Sequence, residues 1–152
     1  MKKLFKLSFV LLLITTLGCG SDSVDCTTPP VSIMFEFIDK DSGENLFANG
    51  TFDAKQAVTV TDLDSKKVVE TSYLKSDNSN ILTITTIGWQ TGTFNYSIAI
   101  GGKNIFESHV TTQRTSNKDC STTSIKTIEI KNAEFEFDKT TGIYKILIST
   151  EQ

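Results

Sequence analysis

The feature that most narrows what this chain can fold into is an alternation of apolar and polar residues with period two. In Phe94-Tyr96-Ile98-Ile100 the apolar residues fall at every second position, with Asn95 and Ser97 between them; Ile33-Phe35-Phe37 repeats the pattern around Glu36. Successive side chains of a strand point to opposite faces, so this spacing describes a sheet with one buried and one wet face. Further strands are expected at 57–63, 68–74, 81–87, 105–111, 125–130, 133–137 and 143–148. No stretch beyond residue 30 shows an apolar stripe at helical spacing. The runs are separated by Gly, Asn, Asp and Ser, and both prolines, Pro29 and Pro30, lie before the first run, as the punctuation of a sheet protein requires.

Two connections are legible. Gly101-Gly102-Lys103-Asn104 joins Ile100 to Ile105, and paired glycines supply the positive φ of a tight hairpin. Asp138-Lys139-Thr140-Thr141-Gly142 lies between Phe135-Glu136-Phe137 and Ile143-Tyr144-Lys145-Ile146, and its length suits a type I turn closed by a glycine. The expected fold is all-β: a single antiparallel β-sandwich of about seven to nine strands. Eight of the ten Phe lie beyond residue 30, and with many Ile and Val they supply one core and no more.

The chain begins differently. Lys2, Lys3 and Lys6 precede an apolar run from Leu7 to Leu17, then Gly18 and Cys19. These are the parts of a secretory signal peptide, and the run is too short to serve as a membrane span, which needs roughly twenty residues. Thr16-Leu17-Gly18-Cys19 resembles a lipobox, with Thr16 where Leu is usual. Residues 1–18 are therefore expected to be a cleaved signal peptide, 19–30 a lipidated N-terminus and flexible tether, and 31–152 the β-sandwich domain. Loss of three of the 15 Lys and Arg leaves 12 against 18 acidic residues, a formal charge of about −6. That charge, with no basic stripe, argues against a nucleic-acid partner. With Cys19 acylated, Cys26 and Cys120 remain as a pair in a disulfide-permissive compartment, and a bridge between them is expected.

His109 adjoins Glu107 and Ser108, but strand neighbours face opposite ways, so Ser108 and His109 cannot readily form a nucleophile–base pair. Trp89, beside Gly88, is a possible ligand contact as a stacking platform, or a rim residue by packing. Asp39, Asp41 and Asn45 place oxygen donors on one turn and form a weak candidate for a hard cation, though the same residues favour any β-turn. No metal and no cofactor is otherwise implied. Asp62, Asp64 and Glu70 are the acids on which a small hydrolase or carbohydrate-active enzyme would have to draw.

The order of residues Phe35-Glu36-Phe37-Ile38-Asp39-Lys40, Ser42-Gly43-Glu44-Asn45-Leu46-Phe47 and Asn49-Gly50-Thr51-Phe52, behind a cysteine near the tether, resembles the small lipoproteins of flavobacteria and their relatives (Bacteroidota). The resemblance implies an outer-membrane location, periplasm-facing or cell-surface, and carries no activity. Gly20-Ser21-Asp22 is similar to the acidic export signal of such proteins. Asp39 to Leu46 is similar to the first hairpin of carboxypeptidase-regulatory-like, prealbumin-type sandwiches, which are accessory modules; an immunoglobulin-like arrangement is the other form the sandwich could take. A non-catalytic binding or envelope-assembly module, held to the membrane by lipid and meeting a protein or glycan, is the expected function. The alternatives are a small enzyme and a purely structural envelope component.

Overall fold

The structure, a computed structural model, describes residues 28–53, 58–76, 79–117 and 120–149. The expected signal peptide, Cys19 and Cys26 lie outside these residues. Nine strands follow in chain order: β1 (Val31–Asp39), β2 (Val58–Asp62), β3 (Thr71–Ser76), β4 (Ser79–Gly88), β5 (Gly92–Ile100), β6 (Lys103–Ser116), β7 (Ser121–Lys131), β8 (Glu134–Asp138) and β9 (Ile143–Ile148). They form a five-stranded sheet in the order β3-β4-β1-β9-β8 and a four-stranded sheet in the order β2-β5-β6-β7. This is the expected all-β sandwich.

The alternating residues meet between the sheets. Ile33, Phe35 and Phe37 of β1, Leu82 and Ile84 of β4 and Ile146 of β9 face Val60, Tyr96, Ile98, Phe106 and Val110 of the smaller sheet in one buried cluster. Phe35 and Phe106 bridge the layers edge to face at 5.0 Å between ring centroids, and Phe37 contacts the same ring at 6.2 Å. The segment 40–53 closes one end: Leu46 is fully buried, Phe47 packs on Phe37 at 5.6 Å, and Phe52 packs on Phe47 at 5.3 Å.

One pairing departs from the expectation of an antiparallel sandwich. β1 and β9 run parallel, Phe35 opposite Tyr144 and Phe37 opposite Ile146, while every other named pairing is antiparallel. A parallel pair cannot be joined by a tight turn, so it leaves no local mark in the sequence. The Gly101-Gly102 turn is tighter than expected: with φ of 57° and 82° these two residues alone make the turn, and Lys103 pairs with Ile100. β3 begins at Thr71 rather than Val68, because Val68 and Val69 lie along the outer side of β2 instead, where Val69 N donates to Val60 O at 2.8 Å. The β6–β7 hairpin runs well past the core. Its outer part pairs Thr115 with Thr122 and Ser116 with Ser121, polar residues whose alternation by hydropathy is silent.

Candidate functional surfaces

The chain reaches the sandwich already held. Thr28 Oγ1 donates to the Ser121 carbonyl at 2.9 Å, and the Thr28 carbonyl accepts from Trp89 Nε1 at 2.9 Å. Thr28, within the stretch expected to be a tether, thus makes two hydrogen bonds to the sandwich. Trp89 sits where the chain crosses from the larger sheet to the smaller, between β4 and β5, with the left-handed φ of 59° at Gly88 making the corner. That crossing is tied to the end of β6: Thr112 Oγ1 donates to Gln90 O at 2.6 Å, Arg114 N to Thr91 Oγ1 at 2.7 Å, and Arg114 Nη1 to Trp89 O at 3.3 Å. Trp89 remains 48% exposed, so its indole clamps the incoming chain with its N–H and leaves much of its surface to solvent.

The acidic turn at the other end of β1 is organised for itself. Asp39 Oδ1 accepts from Asp41 N at 3.1 Å, Ser42 N at 2.8 Å and Ser42 Oγ at 3.0 Å. Asn45 is buried; its Nδ2 donates to Glu36 Oε1 at 3.0 Å, and its Oδ1 accepts from Phe47 N and Ala48 N, each at 3.0 Å. Two of the three candidate cation ligands, Asp39 and Asn45, thus spend oxygens on their own backbone, and Asp41 is exposed beside them. Among the described residues no three His, Cys, Asp or Glu side chains gather as a metal site would need.

The lone histidine lies on the outer face of the smaller sheet. Ser108 points the other way and is fully buried in the core, so the two do not meet, as the strand geometry requires. The histidine belongs to a polar chain: Asn95 Nδ2 donates to Asp64 Oδ2 at 3.0 Å, and Asn95 Oδ1 faces His109 Nδ1 at 2.7 Å. Because the amide group already donates through nitrogen, its oxygen accepts, and the network places the imidazole proton on Nδ1. Nε2 makes no hydrogen bond; Glu107 Oε2 stands 3.5 Å away. Asp64, Asn95 and His109 thereby bind the β2–β3 loop, β5 and β6 together, an arrangement that braces a sheet face.

Asp62 and Asp138 play one role in two places. Asp62 Oδ1 accepts from Asp64 N at 3.0 Å and Ser65 N at 2.6 Å, and Asp138 Oδ1 from Thr140 N at 2.9 Å and Thr141 N at 3.4 Å. The bonds from Ser65 hold the Asp62 carboxyl below its ordinary value, and those from Thr140 and Thr141 do the same for Asp138. A carboxylate whose folded-state value is depressed stabilises the fold above its unfolded value and loses that contribution as pH falls through the folded one. Below about pH 3.8, the ordinary value of both groups, the amides of Ser65 and Thr140 should lose protection from hydrogen exchange. Asp138→Asn should remove the pH dependence at Thr140 while keeping the turn; unchanged protection in acid would show that these carboxylates do not hold their turns.

A further surface lies at the edge of the larger sheet. β8 reads Glu134-Phe135-Glu136-Phe137-Asp138 and, among the described residues, pairs only with β9. Its aromatic rings lie on the Tyr144 side, with Phe137 stacked at 4.5 Å and Phe135 at 6.1 Å. Yet Phe135 is 41% and Phe137 45% exposed, while their partners Ile146 and Tyr144 are 0% and 9% exposed. The alternation of Phe with acid at the end of the chain was the available signal; period two gives the faces of a strand but not whether another strand covers them.

Fold and surfaces together define an all-β sandwich with carboxylate-capped turns, a clamped N-terminal approach and an aromatic-acidic edge. No family model, curated protein or solved structure matches this chain.

Proposed function

We propose that the chain is the precursor of an outer-membrane lipoprotein, anchored through acyl chains on Cys19 and facing the periplasm or the cell surface, and that its sandwich is a non-catalytic module that binds a protein or glycan. The observation that carries this reading is the basic start, short apolar run and Gly18-Cys19 junction. Each buried CH₂ contributes about 0.8 kcal/mol, so two or three acyl chains suffice as an anchor. A binding role is supported by the way the acids are used: Asp62 is an ionised turn acceptor below the usual carboxylate range, the reverse of what a general acid needs, and Asp64 accepts from Asn95. The acidic surface disfavours nucleic acid as a partner.

In the same reading Cys26 and Cys120 are bridged. Thr28, two residues beyond Cys26, is hydrogen-bonded to Ser121, the residue after Cys120, and Cys120 is engaged rather than free. The short reach of a disulfide, about 7 Å or less between Cα atoms, is consistent with that approach. Expression of Cys19→Ala in an envelope-bearing host tests the anchor. Incorporation of a palmitate analogue should vanish and the product should remain as uncleaved precursor or leave the membrane fraction. Label persisting on the variant would overturn the lipoprotein reading.

A further inference from the structure

We propose that the free edge of β8 accepts an extended segment of a partner protein in which apolar and basic residues alternate, adding it as a sixth strand to the larger sheet. The proposal rests on the reading of the domain as a binding module and names the chemistry of its partner. An edge strand presents unpaired N–H and C=O groups, and an added strand takes its affinity from these and its specificity from alternate side chains. At β8 the two alternate sets differ in kind. One is Phe135 and Phe137, half exposed where the inner face runs out of cover. The other is Glu134, Glu136 and Asp138, on the opposite face. A strand laid alongside would set apolar residues against the rings and the other set against the acids.

Charge decides what that second set is. Lys40 Nζ meets Glu134 Oε1 at 2.8 Å, and Lys145 stands opposite Glu136 on β9, both inboard of the edge, so the outboard side of the acidic row has no cation from β9. A second copy of the chain fits badly: antiparallel pairing of two β8 strands about Glu136 would oppose Glu136 to its own copy and Glu134 to Asp138, and like charges directly opposite destabilise a pair. Lys or Arg at alternate positions of a different chain would do the reverse. Other edges lack this combination. The outer side of β2 is bonded to its own chain, Val69 N to Val60 O at 2.8 Å and Asp62 N to Lys67 O at 2.9 Å, and β7 carries charges of both signs, Lys126, Glu129 and Lys131.

The test uses the full chain purified in detergent and a synthetic peptide of about seven alternating Lys and Val residues, the span of β8 and one residue at each end. Expected results are saturable binding, added hydrogen-exchange protection confined to Glu134–Asp138 and its flanks, and no comparable binding of a block-sequence peptide of equal composition. Glu136→Lys should weaken the Lys-Val peptide roughly tenfold and favour its Glu-Val counterpart, while Phe137→Ala should weaken both. Equal binding of the block-sequence peptide, indifference to Glu136→Lys, or protection elsewhere would overturn the proposal. So would a dimer in sedimentation whose β8 amides are already protected, since the occupant would then be a second copy. Palmitate labelling of Cys19 reads the anchor independently, so failure at β8 and failure of the lipoprotein reading are distinguishable.

Discussion

Phe35→Ala is expected to lower the midpoint of thermal unfolding by on the order of 10 °C or more, the largest stability loss of any single truncation discussed. Phe35 is fully buried on the central strand of the larger sheet and touches both layers: Phe106 across the core at 5.0 Å and Tyr144 on the neighbouring strand at 6.0 Å. Truncating a buried Phe removes its transfer free energy and leaves a cavity, together about 3 to 5 kcal/mol, and in a domain of this size each kcal/mol shifts the midpoint by about 2 to 8 °C. Such a loss is a large part of the 5 to 15 kcal/mol typical of a whole domain. Phe137→Ala is the control within the same residue type. That ring is half exposed, and losing its stack on Tyr144 should cost about 1 kcal/mol. Calorimetry of the two variants side by side checks the assignment; equal losses would mean that the boundary between core and edge has been misplaced.

Cys120→Ser should give the second large effect if Cys26 and Cys120 are bridged. A bridge between them closes a loop of about 95 residues, which in the chain-entropy treatment stabilises the fold by roughly 4 to 5 kcal/mol. Such a loss is also worth on the order of 10 °C, and it would fall on the hydrogen bonds that hold Thr28 to Ser121 and Trp89. The variant should therefore show red-shifted emission from Trp89, the single tryptophan, along with the lower midpoint. Reducing agent should reproduce both changes in the parent chain and neither in the variant. Insensitivity of the parent to reductant, with two free thiols titrated in protein taken from the envelope, would rule the bridge out.

Where a strand carries its own alternation it could be placed from the sequence: the apolar residues of Phe94-Tyr96-Ile98-Ile100 that predict a strand are the ones buried in β5, apart from the partly exposed Phe94 at its start. Turn chemistry was equally local, and the carboxylate of Asp138 and the left-handed Gly142 stand where the last hairpin needs them. What could not be read was which strands are neighbours at long range. Nothing in Ile33-Phe35-Phe37 indicates that Tyr144 and Ile146 will lie beside them in parallel, and nothing in Val68-Val69 says that these residues will dress the edge of β2 rather than open β3. The polar Ser and Thr of the outer β6–β7 hairpin pair without burying apolar surface, so hydropathy is blind to them. The surfaces were legible in part. Strand geometry separated Ser108 from His109, while the bond from Asn95 to His109 and the clamp of Trp89 on Thr28 join residues distant in sequence and of common types.

The parallel seam between β1 and β9 has a kinetic consequence. The larger sheet consists of two antiparallel hairpins, β3-β4 and β8-β9, and only β1 lies between them. The hairpins are local and quick to form, whereas β1 is the first strand made and its partner on one flank is the last. A chain emerging in N-to-C order therefore carries β1 with one flank open until Ile143–Ile148 has been made. Closure of the sheet becomes a checkpoint on completeness: a chain truncated before Ile143 keeps β1 and β4 yet leaves one flank of β1 unpaired, an open aromatic edge for proteases and chaperones to find.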